Sequence, residues 1–210
     1  MVILALGSNL SSKYGDRFFN IDLAITYLES YGLKIIKKSS YYETESYPDK
    51  KNPKFINIVI LTETDLPPED LASVLIFVEE KIERKRSIKN APRTCDIDII
   101  DYKNKVLEFN YNNLKFNVPH KNLKSRNFVL IPLREIFNNW MHPESKENID
   151  TLIQNLSDDD RKSILKVNNN WYNVLMLDQK ELIKKVKNYN KFLNPETLSK
   201  AYDFALKAHE

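Results

Sequence analysis

Hydrophobic residues along this chain follow two rhythms: short unbroken runs, and runs spaced for one face of a helix. Residues 2–6 are an apolar run stopping at Gly7-Ser8-Asn9, which predicts a buried strand and a turn. Over 16–31, apolar Phe18, Phe19, Ile21, Leu23, Ile25, Tyr27 and Leu28, with Ala24 among them and Gly32 as a stop, predict a helix. β-Branched and aromatic residues predict a strand over 33–44, and the polar stretch 45–53, interrupted by Pro48 and Pro53, predicts a loop. A second strong strand follows at 55–64. Pro67-Pro68-Glu69-Asp70 opens a helix running to about residue 84, with Leu71, Val74, Leu75 and Val78 on its apolar face. The run 94–102 predicts a strand, 106–109 a short continuation after a turn at Lys103-Asn104, and 128–137 a mostly helical segment. The order β-α-β-β-α-β predicts an α+β, ferredoxin-like fold with both helices on one face of an antiparallel sheet.

From about Trp140 the chain becomes more polar. Ser157-Asp158-Asp159-Asp160-Arg161 suits a helix cap or a linker, Asn168-Asn169-Asn170 follows, and 179–189 and 195–209 predict two helices. The expected organisation is a catalytic domain over 1–160 and a helical extension over 171–210, with the boundary between about 156 and 171.

Composition narrows the function. The 210 residues carry a net charge of only +3, too balanced for a chain that lives on nucleic acid. The single cysteine, Cys95, excludes an internal disulfide, and no Cys/His cluster has zinc spacing. The apolar run at 2–6 is too short for a signal peptide or membrane span, so a cytoplasmic protein with no membrane partner is expected. Only three glycines are present, Gly7, Gly15 and Gly32, and they are not clustered. Neither a Walker A loop nor a dinucleotide-binding turn can be built from them, so side-chain cations would have to hold any bound nucleotide.

The chemistry concentrates in 83–101. Arg84, Arg86 and Arg93 precede a strand carrying Asp96 and Asp98, which as residues two apart share one face. Ile97, Ile99 and Ile100 are expected on the buried side. Like charges this close repel unless a cation compensates them, and Mg²⁺ takes one or two carboxylates together with substrate phosphates. A solvent-exposed strand face beside a basic loop suits the same pattern.

The sequence resembles the 6-hydroxymethyl-7,8-dihydropterin pyrophosphokinases of folate biosynthesis. The resemblance rests on Ala5-Leu6-Gly7-Ser8-Asn9-Leu10, Phe55-Ile56-Asn57, Pro92-Arg93-Thr94-Cys95-Asp96-Ile97-Asp98, Val118-Pro119-His120 and the run from Arg126 through Phe128 to Glu135. It implies transfer of the β,γ-pyrophosphoryl group of ATP to a reduced pterin, on a ferredoxin-like fold, with Mg²⁺, typically two ions. It implies Asp96 and Asp98 as metal ligands, and Arg84, Arg86, Arg93 and Asp98 as catalytic residues. Glu79, Lys89, Arg93, His120 and Arg126 would contact ATP. Thr44, Tyr47, Phe55, Asn57 and Phe128 would form the pterin pocket. Taken singly, His120 reads as structural, Phe55 and Phe128 as core aromatics, and Glu79 as a solvated helix residue. Expected partners are these small molecules and other folate-pathway enzymes. Where the family commonly has Arg-Trp-Gly-Pro-Arg, this chain has Lys89-Asn90-Ala91-Pro92-Arg93, which bears on loop closure and turnover rather than on substrate identity.

The stretch 181–210 is similar to the opening helices of RelA/SpoT-type guanosine tetraphosphate synthetase–hydrolases. It reaches Ala208-His209-Glu210 before that family's metal-binding histidines, so no alarmone chemistry is expected of it.

Overall fold

The computed structural model describes residues 1–85 and 91–168. The elements are β1 (Val2–Ser8), α1 (Arg17–Ser30), β2 (Lys34–Lys38), β3 (Tyr41–Thr44), β4 (Phe55–Glu63), α2 (Pro68–Lys81) and β5 (Asp96–Tyr102). There follow β6 (Leu107–Tyr111), β7 (Leu114–Val118), a 3-10 turn at Leu123–Ser125, α3 (Asn127–Ile136), α4 (Ile149–Gln154), α5 (Asp158–Lys162) and β8 (Leu165–Val167). The main sheet has six strands in the order β5-β1-β4-β3-β8, with β2 also on β4, and every pairing is antiparallel. β6 and β7 make a separate hairpin.

Both faces of the sheet are covered, which explains why β1 is buried along its whole length. On one face Val2, Leu4, Leu6, Ile56, Ile58 and Ile60 pack against Ile21, Ala24 and Leu28 of α1 and Leu71, Leu75 and Val78 of α2. The alternate residues Ile3, Ala5, Val59 and Leu61 face Val129, Leu130 and Leu133 of α3, with Trp140 and the α4 residues Ile149 and Leu152. Asp16 caps α1, its carboxylate accepting from the N–H groups of Phe18 and Phe19.

Several sequence expectations change. The strand expected over 33–44 is two strands, because Ser39 leaves the ladder and bonds Val59 through both its backbone N–H and its hydroxyl. α2 ends at Lys81 rather than near Arg84, since Glu83 takes a left-handed φ of 63° that a helix cannot continue. The short continuation at 106–109 is one arm of a full hairpin, turned by Asn112 and Asn113 with φ of 48° and 60°. Ile100 is not on the same face as Ile97 and Ile99. A bulge opposite Ile3/Leu4 leaves it unpaired, and it packs with α3 on the face of Asp96 and Asp98. The compact unit extends to Val167, past the 1–160 limit, because β8 completes the sheet edge on β3. The helices expected at 179–189 and 195–209 lie outside the described residues.

Candidate active site

A cavity of about 760 Å³ opens on the α3 face, where the polar ends of β1, β4 and β5 meet the N-terminus of α3. Its floor comes from paired strands. Gly7 and Asn57 are register partners, and Thr44 pairs with Phe55. Asn57 Nδ2 donates to Thr44 Oγ1 at 3.0 Å, which fixes the amide orientation. A Cβ on Gly7 would lie 3.1 Å from Asn57 Oδ1, so glycine there leaves the amide room.

The walls are aromatic, each carrying an arginine. The Arg93 guanidinium lies 5.5 Å from the Phe55 ring and that of Arg126 lies 5.4 Å from the Phe128 ring. Both rings are half-buried and line the cavity, as do Thr44, Asn57 and the highly exposed Tyr47.

Beside them is a charged cluster. Arg93 Nη1 donates to Asp96 Oδ2 at 2.8 Å and Arg126 Nη1 to Asp98 Oδ2 at 2.6 Å. Arg84 Nη1 bridges Asp96 Oδ1 and Glu79 Oε1. Burial pushes the Asp96 carboxyl up, but Arg84 and Arg93 outweigh it and hold it below the ordinary carboxylate value. The repulsion expected between Asp96 and Asp98 is thus relieved by guanidinium groups. Within this described cluster the ion pairs join three carboxylates to three guanidiniums. Among the described residues, no three His, Cys, Asp or Glu side chains gather as a ready-made metal cage. Asp96 and Asp98 nevertheless offer hard oxygen donors on the cavity wall, the donor type Mg²⁺ takes when phosphates supply the rest.

The remaining expected residues fall into three groups. Glu79, expected to contact ATP, is 3% exposed and not in the cavity wall. Its Oε1 also accepts the Ile97 N–H at 2.8 Å, so it stands behind Asp96 and anchors Arg84 and β5. His120 stands behind Arg126, with Nε2 3.1 Å from Arg126 Nη2 and Nδ1 accepting the Asn122 N–H at 3.0 Å. Burial lowers its pKa, and the opposing pull of Asp98 does not restore it. Arg86 and Lys89 lie outside the described residues.

Sequence reasoning gave no role to Asn9, although it sits in the opening motif. Its Oδ1 accepts the Arg93 N–H at 2.7 Å, while Nδ2 donates to the Pro53 carbonyl at 3.0 Å and to Ser46 Oγ at 3.2 Å. One buried side chain thus ties the 45–53 loop to the arginine side of the cavity. Asn127, Asp159, Asp160 and Ser163 were also missed as cavity residues.

A family model described as 7,8-dihydro-6-hydroxymethylpterin-pyrophosphokinase matches residues 3–138. The chain belongs to this family. Similar curated pyrophosphokinases include that of Aquifex aeolicus, 38% identical over 142 residues, covering 68% of this chain and 83% of that protein. A folic acid synthesis protein of Pneumocystis carinii is 34% identical over 164 residues, 78% of this chain but only 21% of that protein. Among solved structures, the pyrophosphokinase-containing HPPK-DHPS protein of Plasmodium falciparum with pteroate superposes with a TM-score of 0.57 at 15% identity, covering 72% of this chain and 43% of that one. That likeness is one of fold: α+β, with helices on an antiparallel sheet. Among the described residues no helix is long and apolar enough to cross a membrane.

Proposed function

We propose that this pyrophosphokinase transfers the β,γ-pyrophosphoryl group of ATP to the hydroxymethyl oxygen of 6-hydroxymethyl-7,8-dihydropterin in the cytosol. A bond forms between that oxygen and the β-phosphorus, the bond from the β-phosphorus to the α,β-bridging oxygen breaks, AMP leaves with that oxygen, and the hydroxyl proton is released. One observation carries the reading: a fixed amide (Asn57) and two aromatic rings (Phe55, Phe128) share one cavity with Arg93, Arg126, Asp96 and Asp98. A flat heterocycle needs the first set and a polyphosphate the second.

In this reading Asn57, held by Thr44, reads the pterin edge while Phe55 and Phe128 sandwich the ring, with Tyr47 at the rim. Arg93 and Arg126 exchange carboxylate partners for phosphate oxygens as ATP enters, a bidentate contact that lysine cannot match. Arg84, set by Glu79, keeps Asp96 oriented. His120 sets Arg126, and Asp98 is the carboxylate placed to orient the hydroxymethyl group. Asp96 and Asp98 would hold Mg²⁺, which would add positive charge against the triphosphate. Phosphoryl-type transfer rests mainly on such positioning and charge stabilisation. Arg86 and Lys89 complete the phosphate side on the strength of the sequence resemblance. The β-α-β-β-α-β order and the strand order β5-β1-β4-β3 support the ferredoxin-like reading of the fold.

The test is AMP release from Mg·ATP with and without the pterin. Pterin-dependent AMP is expected, and a protein that binds no pterin overturns the reading. For 171–210 we propose, from sequence alone, a helical extension of RelA/SpoT type outside the chemistry. Deleting it should leave pterin-dependent AMP release intact, and abolished activity would contradict that view.

A further inference from the structure

Residues 157–167 pass along one side of the cavity as a strap beyond the reach of the family match, which ends at residue 138. The ends of the strap are held outside the cavity. Leu156 is buried in the α3 core, and Arg161 Nη1 donates to the Gln154 carbonyl at 2.6 Å. At the other end β8 pairs with β3, and Lys166 Nζ donates to Glu135 Oε1 at 2.8 Å. The middle is tied to α3 by one side chain. Asn127 Nδ2 donates to the Asp160 carbonyl at 2.6 Å and to Ser163 Oγ at 3.0 Å. The helix in the strap, α5, has five residues, far too few to hold a position by helix formation alone. Its place is therefore set by what it is tied to.

The tie is also next to the chemistry. Asn127 opens α3 between Arg126, which pairs with Asp98, and Phe128, an aromatic wall of the cavity. The sheet order tells which half of the cavity the strap serves. β5, with the Asp pair, is one edge of the sheet and β8 is the other. The register Glu43↔Leu165 carries the residues just ahead of β8 towards Thr44, hence to the Asn57 side. The groups that Asp159, Asp160 and Ser163 bring to this wall are carbonyl, carboxylate and hydroxyl oxygens. The two carboxylates repel phosphate and, with the carbonyls, accept hydrogen bonds, so this wall suits a neutral heterocycle rich in N–H donors.

We propose that the 157–167 strap is a wall of the pterin half of the cavity, and that Asn127 is the positioning residue that holds it there. This rests on the pyrophosphokinase reading and adds to it a cavity wall and a positioning residue that the reading itself does not assign.

The test is steady-state AMP release by the full chain, with the pterin and Mg·ATP varied separately. Asn127→Ala is expected to raise the KM for the pterin about tenfold, since two neutral hydrogen bonds are lost, and to leave the KM for Mg·ATP in place. Ser163→Ala, an exposed change that removes one bond, raises the pterin KM about threefold and adds nothing in the Asn127→Ala background. Asn127→Asp keeps the volume but replaces both donors with acceptors facing the Asp160 carbonyl, and should be at least as impaired as the alanine variant. An unchanged pterin KM in Asn127→Ala, an equal rise for both substrates, or wild-type behaviour of Asn127→Asp overturns the proposal. Should Asn127→Ala not fold, Ser163→Ala decides alone, and no rise in its pterin KM overturns the strap's role. Wild-type protein without pterin-dependent AMP release instead overturns the pyrophosphokinase reading itself, before any variant is compared.

Discussion

The strand β5 carries aspartates at both ends on the same sheet face, and they have opposite surroundings. Asp101 is 6% exposed, accepting Trp140 Nε1–H at 2.8 Å and the Asn104 N–H at 2.7 Å. Its partners are neutral: the indole of the core residue Trp140 and a backbone N–H of the turn that follows β5. Asp96 and Asp98 are more open, with side chains 26% and 33% exposed, and their partners are the charged ends of Arg84, Arg93 and Arg126. A carboxylate that accepts from fixed neutral donors helps to build the fold. Carboxylates at a cavity wall whose partners are long cationic side chains can exchange those partners for phosphate or metal. The kind of partner, more than burial or pattern, separates the two roles.

Substitutions can break this comparison. The largest effect is expected at Asp98→Ala: turnover of AMP falls by about 10³ or more, with melting temperature nearly unchanged, because a charge-organising group at the reacting centre is lost. Equal losses of activity and stability would place Asp98 with Asp101. Asp101→Ala should do the reverse, costing about 2–3 kcal/mol in denaturant unfolding by orphaning the buried Trp140 donor, while turnover per folded molecule holds.

Glu135 sharpens the contrast as an intermediate case. It accepts from the Ser40 N–H and hydroxyl, the Tyr42 hydroxyl and Lys166. Burial pushes its carboxyl up, but Lys166 and Ser40 bring it below its ordinary 4.5. Its stabilisation is therefore complete above pH 4.5 and is lost as pH falls through the depressed value. Tyr42 titrates in the opposite direction: burial and then Glu135 push its hydroxyl from 10.0 to about 12, so its contribution is complete below pH 10 and lost as pH rises through about 12. Glu135→Gln should cost about 1–2 kcal/mol at neutral pH and flatten the acid edge of the stability profile. An unaltered acid edge would refute the assignment.

The smallest effect concerns the floor. Gly7→Ala places a Cβ 3.1 Å from Asn57 Oδ1, so the pterin KM should rise about threefold with stability changed by less than about 1 kcal/mol. A rise in the KM for Mg·ATP instead would put Asn57 on the wrong half of the cavity.

Much of this arrangement was legible in the chain. Apolar runs at 2–6 and 55–64 marked the two central strands, because strands covered on both faces must be apolar at successive positions. Asp96 and Asp98 had to share a face because the side-chain period of a strand is two. The bulge that turns Asp101 to that same face was not legible, because it depends on the pairing with Ile3 and Leu4. β8 was equally hidden: three residues of ordinary composition become a strand only because the edge of β3 is open to them.

The sequence by itself determined the element order, the paired aspartates and the arginines near them, since these follow from local periodicity and residue chemistry. Only the tertiary structure decided that Arg84 and Glu79 stand behind Asp96 rather than in the cavity, and that Asn9 ties the 45–53 loop to Arg93. It likewise brought Asn127 and the strap together at the cavity wall. The physical reason is that a hydrogen-bond partner remote in sequence is chosen by packing, which no window along the chain contains.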